Sequence, residues 1–281
     1  MKLVRFGPAG HEKPGLIDTN GLLRDLSGII SDITAQVLDR EGRARLQQIN
    51  PDTLPVVRSP VRFGVPVAHT GKFIGIGLNY RDHAIEANMP IPDEPIIFMK
   101  ATSCLCGPND DIIKPVNAIK MDWEVELGIV IGERARKVGV DQALDHVAGY
   151  CVVNDVSERH FQIERGGTWD KGKGFDTFGP VGPWLVTPDE IPDVQNLDLW
   201  LDRNGQRMQT GCTSTMIFSC AELISYLSQV MTLLPGDIIT TGTPPGVGMG
   251  MKPPAYLQVG DTLTLGIQGL GTQHQTVIHD T

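Results

Sequence analysis

Glycine and proline interrupt the apolar segments of this chain at short intervals, and that spacing limits the folds open to it. The 281 residues include 32 glycines and 20 prolines, which fall between short apolar runs. A helical bundle needs longer amphipathic segments, whereas strands joined by turns need this punctuation. The sequence therefore predicts an α+β protein that is mainly β. Its length allows one large domain, or a large domain with a small appendage.

Composition and charge exclude several classes of protein. Hydrophobic residues make up 41% of the chain and charged residues 20%, which is ordinary for a globular protein and argues against wholesale disorder. The net charge of −9 argues against nucleic acid or an anionic membrane as a partner, because both need a basic surface. An anionic substrate would depend on local cations. No apolar run approaches the length needed to span a bilayer.

The cysteines and the first residues of the chain favour a cytoplasmic location. The five cysteines form no CxxC pair and leave one unpaired however they are bridged, as expected in a reducing compartment. The opening Met1-Lys-Leu-Val-Arg-Phe6 resembles a first strand and lacks the apolar centre of a signal peptide.

The sequence pattern changes near residue 70. Residues 1–70 are predicted to form a small N-terminal α+β domain, with a helix near 32–38 and a proline-rich tract at 51–66 that behaves as a linker. Residues 71–281 are predicted to form the larger domain. One helix there is well defined over 221–234, because Ser219 and Glu222 make a capping box at its start. The predicted strands lie near 3–6, 15–18, 22–26, 73–79, 96–100, 123–131, 148–154, 183–187, 197–202, 237–241 and 262–267.

Two glutamates stand in the apolar segment 121–132. In a strand, Glu124 and Glu126 project from the face opposite Trp123, Val125 and Leu127. Carboxylates at this spacing repel each other if they are dry, and a hard divalent cation removes that penalty. A solvent-facing strand edge with two hydrated glutamates is the alternative. Asp155, at the exit of a buried strand, would supply a third ligand, or it is a turn or capping residue.

His83 and Glu86 lie three residues apart in the segment 79–88. On a short helix this spacing places both on one face, where a carboxylate can orient an imidazole and raise its basicity. That arrangement suits a base that activates water, although a surface ion pair has the same spacing. The flanking prolines and the glycine-rich entry suggest a mobile flap.

Two glycine-rich loops are further candidates for the site. The loop 171–180 carries Lys171 and Lys173, and a lysine there either neutralises a substrate carboxylate or is simply solvated. It matches neither a Walker A sequence nor a dinucleotide fingerprint. The loop 240–248 offers hydroxyls and backbone N–H groups to an anion, or it is only a tight turn.

Taken in order, these segments resemble the fumarylacetoacetate hydrolase family over roughly residues 72–279. The resemblance is carried by six ordered motifs, which include Gly77-Leu-Asn-Tyr-Arg-Asp-His83 with Glu86, the segment 122–132, and Asn154-Asp-Val-Ser-Glu-Arg159 with Gln162. The others are Phe98-Met-Lys100, the segment 171–183, and the segment 234–246. The loop 166–184 looks most like a subgroup described as diketo-deoxy sugar acid hydrolases or ureidoglycolate lyases.

The resemblance implies a mixed β-roll catalytic fold, usually in a homodimer, and assigns roles to the matching residues. It implies that Mg²⁺ or Mn²⁺ is held by Glu124, Glu126 and Asp155. The dyad of His83 and Glu86 lies on a lid, and Lys173 is the active-site lysine. The residues expected to bind substrate are Tyr80, Arg81, Lys100, Gln162 and Thr243, with Thr243 at the substrate carboxylate.

The reaction that fits these parts is hydrolysis of a carbon–carbon bond in a 2,4-dioxo acid. The substrate would be a 2,4-diketo-3-deoxy sugar acid or an acylpyruvate, and pyruvate or a related 2-oxo acid would be released. Oxaloacetate-type decarboxylation, hydration, isomerisation and ureidoglycolate lysis on the same scaffold are alternatives. An alternative of another class is a non-catalytic, metal-stabilised binding protein.

Overall fold

A computed structural model describes residues 1–58 and 60–280 of the chain. Ser59, which belongs to the proline-rich tract, and Thr281 lie outside the described residues. None of the helices in the described ranges combines the length and the apolar character needed to cross a membrane.

Strands dominate the described part of the chain, which confirms the α+β, mainly β prediction. The strands are β1 (Lys2–Phe6), β2 (Lys13–Ile17), β3 (Leu23–Asp25), β4 (Phe73–Gly77), β5 (Ile96–Lys100), β6 (Leu105–Cys106), β7 (Ile112–Lys114), β8 (Met121–Asp122), β9 (Val125–Ile131), β10 (Val147–Asn154), β11 (Ser157–Glu158), β12 (Gly179–Val186), β13 (Asp198–Arg203), β14 (Gln206–Cys212), β15 (Ile238–Thr240), β16 (Thr262–Ile267) and β17 (Gly271–His279). The α-helices are α1 (Ala35–Leu38), α2 (Arg40–Gln47), α3 (Arg81–Glu86), α4 (Asp170–Lys173) and α5 (Cys220–Val230).

The strands form one large sheet and two smaller ones. The large sheet has the order β3-β2-β1-β12-β10-β9-β15-β4-β5, with β6 paired to β12. A five-stranded sheet has the order β14-β13-β16-β17-β7, and β8 pairs with β11. The N-terminal strands join the large sheet where β1 runs antiparallel to β12. A domain boundary near residue 70 stays a prediction.

The centre of the large sheet is dry on both faces. Every residue of the paired strands β9 and β10 is buried. Both strands are near-continuous apolar runs, the pattern expected where layers cover a sheet on each side. Polar side chains in or next to these strands are therefore held away from water, which sets the electrostatics of the site.

The observed elements differ from the predicted ones where side chains are polar or where tertiary contacts intervene. The predicted helix at 32–38 shortens to α1, and α2 was missed because only Gly42 and Leu46 of this polar segment are buried. The strands β14 and β17 consist mostly of polar residues and were also missed, because they lack an apolar run. The tract expected to be a linker instead packs on the N-terminal strands, through bridges from Val56 to Arg24 and from Phe63 to Phe6.

The helix α5 begins where the sequence predicts and ends earlier. Ser219 and Glu222 form the expected capping box. The helix stops at Val230 because Met231 is extended and Leu233 exchanges backbone hydrogen bonds with Ala135. Sheet-like pairing with another segment replaces the last predicted turn.

We predict that Ser219→Ala lowers the free energy of unfolding by about 1 kcal/mol, because the first turn of α5 loses its cap. Urea denaturation measures the change. The control is Ser27→Ala, at an exposed turn position where the hydroxyl has no partner among the described residues. Equal stability of the two variants would contradict the capping role.

Candidate functional site

Three acids converge at one end of the β9–β10 pair. Glu126 lies on β9, and Glu124 directly precedes that strand. Asp155 directly follows β10, and its backbone N–H donates to the carbonyl of Glu124 at 2.9 Å. One carboxylate oxygen from each of the three residues lies within 4.8 Å of the others. Their exposed fractions are 4%, 1% and 0% for Glu124, Glu126 and Asp155, so the hydrated strand edge is wrong.

Three buried cations surround the acids, yet they reach only two of them. Lys173 Nζ donates to Glu124 Oε2 and to Asp155 Oδ2, both at 2.6 Å. Lys100 Nζ donates to the other oxygen of Asp155 at 2.5 Å, and Arg159 Nη2 donates to Glu124 Oε1 at 2.6 Å. Each of these two carboxylates therefore has a positively charged partner on both oxygens.

Glu126 is held by uncharged groups instead. Its Oε2 accepts hydrogen bonds from the hydroxyl of Thr240 at 2.5 Å and from the backbone N–H of Gly242 at 2.8 Å. Its Oε1 accepts none from the described residues. Glu126 lines the cavity described below, so this oxygen can bind a ligand there.

The pKa values of the two glutamates move in opposite directions. Burial, together with the negative charges of Asp155 and Glu124, raises the pKa of Glu126 well above its ordinary value. Burial also opposes ionisation of Glu124, but Arg159 and Lys173 outweigh it and lower the pKa of that carboxyl. The cluster therefore lacks positive charge at Glu126.

The residues present fit a hard divalent cation. All three side chains offer carboxylate oxygens, which Mg²⁺ and Mn²⁺ prefer, and the missing positive charge is at Glu126. Each carboxylate oxygen has two lone pairs, so a hydrogen bond from a lysine does not exclude a second partner.

The His83–Glu86 pair is assembled on α3. His83 Nδ1 lies 3.1 Å from Glu86 Oε2, which leaves Nε2 without a partner among the described residues. Glu86 also accepts from the backbone N–H of Gly246, at 2.9 Å to Oε1. A Cβ at Gly250 would lie 2.5 Å from Glu86, so the small residue there lets the carboxylate dock. His83 is 4% exposed, and a surface ion pair is therefore wrong for this dyad.

One cavity brings His83 of the dyad together with Glu124 and Glu126 of the acids. Its polar lining residues are His83, Glu124, Glu126, Arg159, Gln162, Lys173 and Thr243. Gln162 lies on a π-helical turn, His160–Glu164, and its Oε1 accepts from Arg159 at 3.1 Å. The Thr243 hydroxyl donates to the carbonyl of Val125 and accepts from Gln209, which leaves the backbone N–H as the donor this residue can offer.

Three residues predicted to bind substrate do not line this cavity. Tyr80 is fully buried, and burial followed by the charge of Glu126 raises its pKa well above the ordinary value. Arg81 is exposed at the start of α3. Lys100 is buried against Asp155, where it positions that carboxylate. Substrate contacts by these three residues stay predictions.

Asp122 and Arg159 lie within the family-like motifs, yet their sequence context predicted no role for either residue. Asp122 is fully buried and accepts from Arg159 Nε at 2.9 Å and from the backbone N–H groups of Gly248 and Met249. Arg159 thereby links Asp122 to Glu124 and Gln162. An acid directly before an apolar strand was the available signal, because such a group needs several donors when it is buried.

The glycine-rich loop 240–250 binds anions, and those anions are the protein's own carboxylates. Its backbone N–H groups at Gly242, Gly246 and Gly248 donate to Glu126, Glu86 and Asp122, respectively. Interpreting the loop as a tight turn alone is therefore incomplete. The loop holds the dyad and the acid cluster in a fixed relation.

The chain belongs to the fumarylacetoacetate hydrolase family. Residues 72–278 match the family model described as fumarylacetoacetate (FAA) hydrolase C-terminal. Curated relatives from Burkholderia orbicola (strain MC0-3) and Burkholderia cenocepacia (strain HI2424) are each 62% identical over 276 residues, which is 98% of this chain and 98% of each relative. Their names assign hydrolase activity only provisionally and give no substrate.

Solved structures confirm the family fold. Fumarylacetoacetate hydrolase from Exiguobacterium antarcticum is similar with a TM-score of 0.89 and 34% identity, and all of both chains is covered. Maleylpyruvate hydrolase from Sphingobium sp. SYK-6, solved with manganese(II) and pyruvate, has a TM-score of 0.83 and 28% identity, again over all of both chains. A 2-hydroxyhepta-2,4-diene-1,7-dioate isomerase from Mycobacterium marinum has a TM-score of 0.75 and 32% identity, over 100% of this chain and 99% of the other. The protein is therefore an enzyme of the fumarylacetoacetate hydrolase family.

We predict that the protein binds one Mn²⁺ per chain. Glu126→Gln should weaken this binding at least about 10-fold, because mutation of residues that only support a metal ligand already lowers metal affinity by about that factor. The amide keeps the size of the side chain and an acceptor for Thr240 and Gly242. Isothermal titration calorimetry measures the affinity.

The matched control for this prediction is Glu164→Gln. Glu164 is an exposed acid that pairs with Lys120. Its loss should leave the Mn²⁺ affinity unchanged. Unaltered binding by the Glu126 variant would remove this acid from the set of ligands.

Proposed function

We propose that this protein is a Mg²⁺- or Mn²⁺-dependent hydrolase that cleaves a carbon–carbon bond in a 2,4-dioxo acid. The substrate is a 2,4-diketo-3-deoxy sugar acid or an acylpyruvate, and the product is pyruvate or a related 2-oxo acid. The observation that carries the proposal is that one cavity is lined by Glu124, Glu126 and the buried His83, whose ring is held from behind by Glu86.

The comparisons support this reaction class. The maleylpyruvate hydrolase that shares the fold was solved with a manganese ion and with pyruvate, the kind of ligand pair that we propose for this chain. The curated relatives match this chain over nearly their full length, and their names describe them as hydrolases. Assembly as a homodimer and a cytoplasmic location belong to the same proposal.

Substrate binding combines an ion with local cations. Glu124, Glu126 and Asp155 would hold the divalent ion, which would supply Lewis acidity toward the bound substrate. Lys173 adds positive charge beside the same acids, and Gln162 and the backbone N–H of Thr243 offer hydrogen bonds. These groups favour the negative charge that develops as the carbon–carbon bond breaks.

His83 is the group that moves the proton. Glu86 holds Nδ1, so the neutral ring uses Nε2 to take a proton from water. The water oxygen forms a bond to the distal carbonyl carbon, C4, and the C3–C4 bond then breaks. The acyl group leaves as a carboxylic acid, and C3 receives the proton that completes the 2-oxo acid.

Isomerisation is a second candidate, and it is favoured by the isomerase at 32% identity. Oxaloacetate-type decarboxylation, hydration and ureidoglycolate lysis use the same scaffold and remain alternatives. Hydrolysis requires water to be activated at a carbonyl, whereas isomerisation, decarboxylation and ureidoglycolate lysis do not. The dyad of His83 and Glu86 is suited to that step. A non-catalytic metal-binding protein would have no need for the dyad.

The test of the proposal is a turnover screen with Mg²⁺ and with Mn²⁺. The panel contains acylpyruvates, diketo-deoxy sugar acids, oxaloacetate, a hydroxymuconate and ureidoglycolate. We expect release of a 2-oxo acid from a 2,4-dioxo acid and loss of this activity with a chelator. Turnover of another substrate alone would replace the proposed reaction with that one. No turnover, with oxalate binding that does not depend on metal, would favour a binding protein.

We predict that His83→Ala lowers kcat/KM for the dioxo acid about 100-fold to 10,000-fold, because the general base is removed. Mn²⁺ affinity should be unchanged, since His83 is not among the three acids. The control is His11→Ala, at an exposed position in the N-terminal part of the chain. If His83→Ala retained the activity of the parent, another group would have to activate the water.

A further inference from the structure

The cavity has an apolar part beside its acids and its dyad. Seven of its lining side chains are aliphatic, thioether or aromatic: Ile76, Leu78, Met89, Phe98, Ile163, Trp169 and Met249. The chemistry proposed above uses none of them. They form an apolar wall, and this wall is where the acyl group of a dioxo acid would lie.

The wall rests on the backbone of β4 and cannot withdraw in that direction. A Cβ at Gly77 would lie 2.3 Å from the ring of Trp169, and a Cβ at Gly75 would lie 2.1 Å from the ring of Phe98. The two rings contact each other, with centroids 5.7 Å apart. Both aromatic side chains therefore lie directly on main chain that only glycine leaves uncovered.

The residue after Trp169 is anchored as well. Asp170 accepts a hydrogen bond from the backbone N–H of Met99 on β5 at 2.8 Å. This contact ties the start of α4 to the strand that carries Phe98. The Trp169 ring is thus held in two ways. It packs on the backbone of β4, and the adjacent residue Asp170 is hydrogen-bonded to β5.

The wall begins close to the acid cluster. Lys173 Nζ lies 5.0 Å from the centroid of Phe98, and the same ammonium contacts Glu124 at 2.6 Å. The aromatic rings therefore lie next to the lysine that contacts the acids. An acyl chain that extends from this cluster toward the wall would meet the rings of Phe98 and Trp169.

The cavity also lacks a cation for a second carboxylate. Its cationic lining residues are Arg159 and Lys173, and each already binds acids of the cluster. A negative charge at the far end of the acyl group would face Trp169, Ile163 and methionine side chains instead. Ile163 and Met89 are partly exposed, so such a charge would lose part of its hydration, and it would gain no ionic partner from the residues that line the cavity.

We infer that the apolar wall, with Trp169 as its main determinant, restricts the substrate to 2,4-dioxo acids with a short, uncharged acyl group. This inference rests on the proposed function, and it selects among the substrates of that reaction. It excludes dioxo acids whose acyl group ends in a carboxylate.

The test compares kcat/KM over a series of dioxo acids in the presence of Mn²⁺. The series contains acetylpyruvate, propionylpyruvate, hexanoylpyruvate and a dioxo acid whose acyl group ends in a carboxylate. We expect hexanoylpyruvate to be at least about 10-fold poorer than the best short substrate, since one methylene too many in an apolar pocket has effects of this size. The dicarboxylic substrate should be at least about 30-fold poorer, because its charge finds no partner.

Variants of Trp169 identify the residue responsible. Trp169→Ala should raise the ratio of kcat/KM for hexanoylpyruvate over acetylpyruvate at least about 10-fold, and Trp169→Phe should give a smaller rise. The matched control is Trp200→Ala, because Trp200 lies on β13 under Arg207 and outside the cavity. The control should keep the ratio of the parent.

Each outcome decides between the two proposals. Lack of turnover for every dioxo acid would overturn the proposed function. Turnover without a preference for short, uncharged acyl groups would overturn only the present inference. An unchanged ratio in folded Trp169 variants would remove Trp169 as the determinant. The series with the parent protein remains decisive if neither variant folds.

Discussion

Burial of three carboxylates side by side is the constraint on which the rest of this structure depends. Antiparallel pairing of β9 with β10 places Glu124, Glu126 and Asp155 together in a region where every strand residue is dry. Two of them have cationic partners, and Glu126 has only neutral donors. Burial and the two neighbouring carboxylates raise the pKa of Glu126, so this is the carboxyl that a proton or a divalent cation would neutralise.

The loop 240–250 connects the buried acids to the dyad of His83 and Glu86. Its backbone donors hold Glu126 at one end, Glu86 in the middle and Asp122 near the other end. The position of α3, which carries His83, is therefore set by the same loop that positions a carboxylate of the acid cluster. A shift of this loop would move the ring of His83 and the acids together.

Side chains of different character line different parts of one cavity. Glu124 and Glu126 at the start of β9 and Lys173 on α4 line one part, whereas Phe98 and Trp169 line a second part against β4. The glycines of β4 create the second part, because any larger residue at 75 or 77 would collide with an aromatic ring. Under the two proposals made above, the reaction and the choice of substrate depend on different side chains of this cavity.

The sequence by itself determined the mainly β architecture, the start of α5, and the acids and dyad of the candidate site. Those features depend on local signals: apolar runs between glycines and prolines, a capping box, and acids at fixed spacing in ordered motifs. The strands β5 and β16 match their predicted bounds for the same reason. Only the tertiary structure decided that α5 ends at Val230, that Lys100 lies behind Asp155, and that Asp122 and Arg159 support the cluster. Each of these outcomes depends on a partner far away in the sequence, which spacing along the chain does not reveal.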